Sequence, residues 1–183
     1  MLGKFTIAKN FGPYRFIGKT LYIRAWQETS IAIERASWHV CDWVFKALDA
    51  MTEYSSDQVN NHALFTWERF DDKNQLMGYT IGRFMKAGTP VPDGMDYYDI
   101  DAATVAQGWA VGTIDEVRCL DQVHNDLYGK TGAPTFAALA EAGYDEQCRL
   151  WSAQAFPVGY PKNPKPCGDG KYYVGNFVPC VRK

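Results

Sequence analysis

A chain of 183 residues with 46% hydrophobic and 22% charged residues can bury the core of one globular domain. Its formal net charge of −2 and scattered Lys and Arg form no basic stripe, which argues against direct nucleic-acid binding. The sequence opens on no apolar run long enough for a leader or a membrane span. Its five Cys (Cys41, Cys119, Cys148, Cys167, Cys180) have no metal or dithiol spacing, so reduced thiols and a cytoplasmic location are expected.

The first strand is expected over Tyr14 to Ala25, rich in aromatic and β-branched residues. Ser30 then stands where it can cap a helix over Ile31 to Met51. Ile33, Ala36, Val40, Val44, Leu48 and Met51 recur there at helical spacing, with Trp43 and Ala47 widening the stripe. Two strand-like runs follow, His62 to Phe70 and Gln75 to Met85, joined by Asp71-Asp72-Lys73-Asn74, whose side chains suit a hairpin loop. A connector from Lys86 to Gly94, with two Pro and two Gly, breaks the regular pattern.

The pattern then begins again. Tyr97 to Thr113 reads as extended segments. A helix is expected over Asp115 to Tyr128, and a shorter one over Pro134 to Ala142 that stops at Gly143. Strands over Arg149 to Tyr160 and Lys171 to Arg182 close the chain. The order β-α-β-β thus occurs twice, over about residues 1–88 and 95–183. The predicted architecture is a single α+β domain: two pseudo-symmetric β-α-β-β modules sharing a curved antiparallel sheet, with helices on one face and a central cleft.

Aromatic residues make up 15% of the chain, with six Trp, eleven Tyr and ten Phe. Rings in such number fill a core or line a small-molecule pocket. Trp67, Tyr79, Trp109, Trp151 and Tyr160 fall in strands that such a fold brings to its centre, and are the candidate ligand-binding residues. Trp109 lies between Gly108 and, beyond Ala110 and Val111, Gly112, glycines that let another surface approach the ring. Glu68, beside Trp67, is the one weak catalytic candidate: strand alternation sends it to the face opposite Trp67, as a cleft carboxylate or as a surface partner of Arg69 and Arg83. No glycine-rich phosphate loop and no G-x-S-x-G element occurs, and the three His (His39, His62, His124) have no metal spacing, so neither metal nor cofactor is expected.

Gly78-Tyr79-Thr80-Ile81-Gly82-Arg83-Phe84, followed by Thr89-Pro90-Val91-Pro92-Asp93-Gly94-Met95, resembles the middle of the gyrase-inhibitor-like (GyrI-like), AraC-type effector-binding domains. Asp99-Ile100-Asp101-Ala102-Ala103-Thr104-Val105-Ala106 is similar to the family's "I-P-A-G-x-x-A-V" strand, with Asp101 where proline is usual. Tyr172-Tyr173-Val174-Gly175-Asn176-Phe177-Val178-Pro179 resembles its closing strand. The resemblance implies two β-α-β-β modules with a ligand cleft on their pseudo-twofold axis. It also implies one of three roles: sensing drugs in transcription activators, protecting gyrase through a protein contact, or hydrolysing strained, cyclopropane-bearing genotoxins.

Many family members place a glutamate in an "F-E-x-Y" motif on the strand before the last. The comparable stretch here, Ala155-Phe156-Pro157-Val158-Gly159-Tyr160, has no acid. No DNA-reading helix-turn-helix stands before the first expected strand. The expected role is therefore a stand-alone binder that senses or sequesters an apolar aromatic ligand, cationic or neutral. Hydrolysis and a protein-partner role are the alternatives, and no membrane partner is expected.

Overall fold

The computed structural model describes residues 6–24, 40–58, 61–71, 73–74, 76–112, 141–146, 152–156 and 172–182. They form a mostly antiparallel sheet with one α-helix among the described residues. The strands are β1 (Thr6–Phe11), β2 (Tyr14–Arg24), β3 (Asn61–Asp71), β4 (Leu76–Lys86), β5 (Asp96–Ile100), β6 (Ala103–Gly112), β7 (Tyr144–Glu146), β8 (Ser152–Phe156) and β9 (Tyr172–Arg182). Their order across the sheet is β1-β6-β9-β8-β3-β4-β2-β5, with β7 added beside β9.

Strands β2, β3, β4 and β9 fall where their β-branched and aromatic runs predict them. In the β3–β4 hairpin, the backbone N–H and side-chain amide of Asn74 donate to the Asp71 carboxylate, the Asx chemistry expected of that loop. Two strands carry too little pattern to be foreseen. β1 buries little besides Phe11, so it lacks the alternation that marks a half-buried strand, and β7 is three residues long. Strand structure therefore begins before Tyr14, the first residue predicted to be extended.

Helix α1 (Asp42–Asp49) lies within the predicted helix over Ile31 to Met51; residues 31–39, with the Ser30 cap, are outside the described residues, as are the predicted helix over 115–128 and most of that over 134–142. Gly143, predicted just past that last helix, has φ +81°, the left-handed conformation of a helix stop. The inward stripe of α1 runs Cys41, Val44, Leu48, all fully buried against the sheet. Val40 and Trp43, expected on that stripe, are exposed. Each stands one residue before an inward position, about 100° round the helix from it.

The sheet bends back on itself, and two short corners compel it to. Only Gly12 and Pro13 join β1 to β2, although these strands stand first and seventh in the order. Only Asp101 and Ala102 join β5 to β6, which stand eighth and second. Six strand spacings in a flat sheet would span about 28 Å, far beyond two residues. The two corners touch: a side chain on Gly12 (φ +93°) would lie 3.4 Å from the Asp101 carbonyl oxygen.

Inside the bend lies one core, made by Phe11, Tyr14, Phe16, Leu64, Phe84, Ile100 and Val105 from six strands. Phe84 is its hub, with ring centroids 5.3 Å from Phe11, 4.9 Å from Phe16 and 4.8 Å from His62. A second core lies on the outer face under α1, where Ile17, Ala63, Tyr79, Ile81 and Met85 meet Cys41, Val44 and Leu48.

Gly18 and Gly82 are register partners on β2 and β4. A Cβ on Gly18 would fall on the Ile81 carbonyl, and one on Gly82 on the Ile17 carbonyl. Backbone meets backbone there, with no flexible side chain to yield. We expect Gly82→Ala to lower folding stability by about 3 kcal/mol, at the upper end of what overpacking costs, as read by chemical denaturation. A loss under about 1 kcal/mol would show that the strands can part at this point.

Candidate functional site

The two faces of the sheet have different chemistry at its centre. On the inner face, a hydroxyl chain crosses from β2 to β5: Thr20 and Thr80 share a hydrogen bond at 2.9 Å, and the Tyr98 hydroxyl lies 3.4 Å from Thr80 Oγ1. His62 sits one register step away, fully buried and edge-on to Phe84. Burial first, and the charge of Arg83 second, push its imidazole down to about 3, so the ring is neutral at physiological pH. This face is packed with its own side chains.

On the outer face, α1 covers β2, β4 and β3. Where β3 meets β8, the register aligns Asn61 with Phe156, Ala63 with Gln154, and Phe65 with Ser152. Arg83 spans this region from β4. Its Nε and Nη2 donate to Asn61 Oδ1 at 3.0 and 2.6 Å, and its Nη1 donates to Asp49 Oδ1 on α1 at 2.8 Å. At the sheet edge, Arg15 forms a two-pronged pair with Asp99 (2.6 and 2.8 Å), lies 4.6 Å from the Tyr97 ring centroid and donates to the Thr89 carbonyl at 2.9 Å. That cluster holds the 86–94 connector to the sheet. The Asp99 carboxyl is held low by the Arg15 hydrogen bond, and the group is a structural clamp.

The predicted site residues map onto this frame as follows. Tyr79 is 1% exposed, in the core beneath α1. Its register partner on β3 is Phe65, which pairs in turn with Ser152. Trp67 and Glu68 follow two and three residues beyond Phe65, and Ser152 comes directly after Trp151 in the chain. Register therefore gathers Tyr79, Trp67 and Glu68 toward one end of the β3–β8 seam. Trp109 pairs with Gly175 on β9, in the row that continues through Ala155 to His62. Trp151 and Tyr160 are outside the described residues.

The alternation that puts Trp67 and Glu68 on opposite faces does not carry through this stretch. Thr66 pairs with Gly78 and Phe70 with Met77, so Trp67, Glu68 and Arg69 bulge from the ladder. Sequence reasoning gave no role to His62, Asn61 or the Thr20–Thr80 pair. Each is a polar residue alternating with apolar ones in a strand, a pattern that looks solvent-facing unless both faces are known to be covered.

The Cys41 thiol is pushed up to about 11 by burial, which leaves it protonated and unreactive. Among the described residues, no three His, Cys, Asp or Glu converge as metal ligands, and no helix is long and apolar enough to cross a membrane.

No family model matches the chain, and no curated protein matches it in sequence. Solved structures do. The protein SAV2435 bound to tetraphenylphosphonium is similar over 99% of this chain and 94% of its own, with TM-score 0.59 and 10% identity. A putative transcription regulation protein from Staphylococcus aureus is similar over 98% of both chains, with TM-score 0.54 and 12% identity. The C-terminal domain of EcmrR is similar over the whole of both chains, with TM-score 0.54 and 11% identity. The chain shares their fold.

The buried imidazole makes stability depend on pH with a defined sign. His62 titrates near 3 in the folded chain and near 6.5 when unfolded, so below pH 6.5 only the unfolded chain takes up the proton. Its contribution is complete above pH 6.5 and falls by about tenfold in the folding equilibrium per pH unit from there toward pH 3. Chemical denaturation of wild type and His62→Leu at pH 7 and pH 5 checks this: the wild type should lose about 2 kcal/mol more than the variant. Equal losses would place a charged histidine in the fold.

Proposed function

We propose that this chain is a GyrI-like effector-binding domain that binds an apolar aromatic small molecule at the centre of its sheet, in the cytoplasm. The observation that carries the proposal is the likeness, over nearly all of both chains, to SAV2435, a protein seen bound to tetraphenylphosphonium. The motif resemblance from Gly78 to Met95 supports the same reading from the sequence.

The strand order supports the two-module arrangement. From the β8–β3 seam outward, one side runs β8, β9, β6 and the other β3, β4, β2. In each half the first strand in sequence is outermost, the last is in the middle, and the intermediate one lies at the seam. β1 and β5 are additions beyond this core: each attaches outside the first strand of the half to which it does not belong in sequence. In this reading the ligand lies over the seam, on the face that carries α1. Trp67 and Glu68, in the bulge of β3, lie toward one end of the seam, Tyr79 closes it from the core beneath α1, and Trp109, in the register row of His62, belongs to the other face. Binding is favoured over hydrolysis because that likeness is to a protein seen with a bound ligand.

Thermal unfolding and Trp fluorescence with a panel of aromatic compounds, neutral and cationic, test the proposal. A ligand at 100 times its Kd should add about 2.7 kcal/mol of stability and raise Tm by about 5–10 °C. A panel that moves neither Tm nor fluorescence overturns the reading. For any compound that binds, we expect Glu68→Gln to change Kd less than about threefold, because apolar burial supplies the energy. If that variant instead abolishes turnover of a strained electrophile, the chain is a hydrolase.

A further inference from the structure

We infer that Arg83 on β4, with Asn61 beside it on β3, holds an anionic group of the ligand, so that the site selects aromatic carboxylates over lipophilic cations. This rests on the proposed small-molecule site and deepens it.

Register assigns the face. Arg15, Ile17 and Lys19 on β2 pair with Met85, Arg83 and Ile81 on β4, and Ile17, Ile81, Met85 and Ala63 lie in the core beneath α1. Arg83 therefore shares the outer, helix-bearing face, and so does Asn61, two residues from Ala63 on β3. Asn61 is the register partner of Phe156 on β8, so this pair of side chains stands at the β3–β8 seam. Arg15, Lys19 and Arg83 are the charged residues at these outer-face positions, and all three are cations.

The two arginines are matched very differently. Arg15 engages both oxygens of the Asp99 carboxylate, at 2.6 and 2.8 Å. Arg83 is the more buried, its side chain 14% exposed against 20%, yet it meets a single carboxylate oxygen, Asp49 Oδ1, on a side chain that is 65% exposed. Its other two bonds go to the neutral oxygen of Asn61. A guanidinium carries five N–H donors, so Nη1 and Nη2 each keep one N–H beyond these bonds among the described residues. Asn61 must turn its oxygen to Arg83, which only donates, and so keeps its two Nδ2 donors. A half-desolvated cation with donors to spare suits a carboxylate, whose two oxygens a guanidinium can hold together. A lipophilic cation would meet like charge there, and the exposed Asp49 is too well screened by water to offset it.

The test uses three probes of matched shape and different charge: biphenyl-4-carboxylate, its neutral carboxamide and the cationic biphenyl-4-carboxamidinium. Calorimetric titration of the full chain should give a Kd at least tenfold lower for the carboxylate than for the amidinium, with the carboxamide between them. Arg83→Gln should erase that preference. Asp49→Asn, an exposed change that removes the competing carboxylate, should tighten carboxylate binding threefold or more, and it decides the matter if Arg83→Gln does not fold. Far-UV circular dichroism and Tm establish whether each variant folds. If Arg83 only fastens α1 to the sheet, both variants lower Tm and leave the carboxylate-to-amidinium ratio unmoved, which would overturn the assignment. So would a wild type that binds the amidinium as tightly as the carboxylate, while leaving the small-molecule reading intact. If wild type binds none of the three probes and nothing in the wider aromatic panel, the small-molecule reading falls, and this assignment with it.

Discussion

Two corners of two residues each set the shape of this protein. β1 cannot reach β2 across Gly12-Pro13, nor β5 reach β6 across Asp101-Ala102, unless the ends of an eight-strand ladder are brought together. Strand twist supplies some of the bend. At the Gly18–Gly82 pair the backbones of β2 and β4 approach so closely that neither residue could carry a side chain. Closing the sheet determines where each side chain can be used. The inner face becomes an enclosed volume, and the rings of Phe11, Tyr14, Phe16 and Phe84 fill it in edge-to-face and tilted contacts. The high aromatic content thus has a structural use before any functional one, because large rings fill a concave volume that aliphatic side chains would leave porous.

That division of labour leaves the two faces of the sheet unequal. Evicting a close-packed core costs about as much as the ligand's own burial returns, so an interior built on Phe84 is a poor host. On the outer face α1 packs on β2, β3 and β4, and the sheet continues beyond them through β8, β9 and β6. The polar residues Asn61, Arg83 and Asp49 sit at that boundary, joined in one hydrogen-bonded group that links helix and sheet. The group ties α1 to β3 and β4 at the edge of the packed region.

Much of the ladder was legible in the sequence because β2, β3, β4 and β9 carry runs of β-branched and aromatic residues, and the Asp71–Asn74 loop announces its hairpin by its chemistry. β1 was not legible: it stands at the edge, buries Phe11 and little more, and is held by pairing with β6 instead of by burial. The inward stripe of α1 was misplaced at Val40 and Trp43, since an apolar side chain at helical spacing does not say which of two adjacent stripes meets the sheet. The site was the least legible part. Tyr79 reads as a cleft ring and is core, and Trp67 and Glu68 were assigned faces by an alternation that the bulge interrupts. Alternation within one strand is local information, whereas which residues meet across β3 and β8 depends on the register between strands from different halves of the chain.

The contrast between His62 and Asn61 shows how alternation turns adjacent polar residues to different ends. They are consecutive on β3, so the step of one residue sends them to opposite faces. On the filled face, the histidine can stay only by giving up its proton, and it becomes one more ring packed on Phe84. On the helix-bearing face, the amide of Asn61 needs no such concession, since it is neutral at every pH and its oxygen accepts two hydrogen bonds from the Arg83 guanidinium. Arg83 in turn reaches Asp49 on α1, so the second of the two polar residues fastens helix to sheet where the first only fills a core.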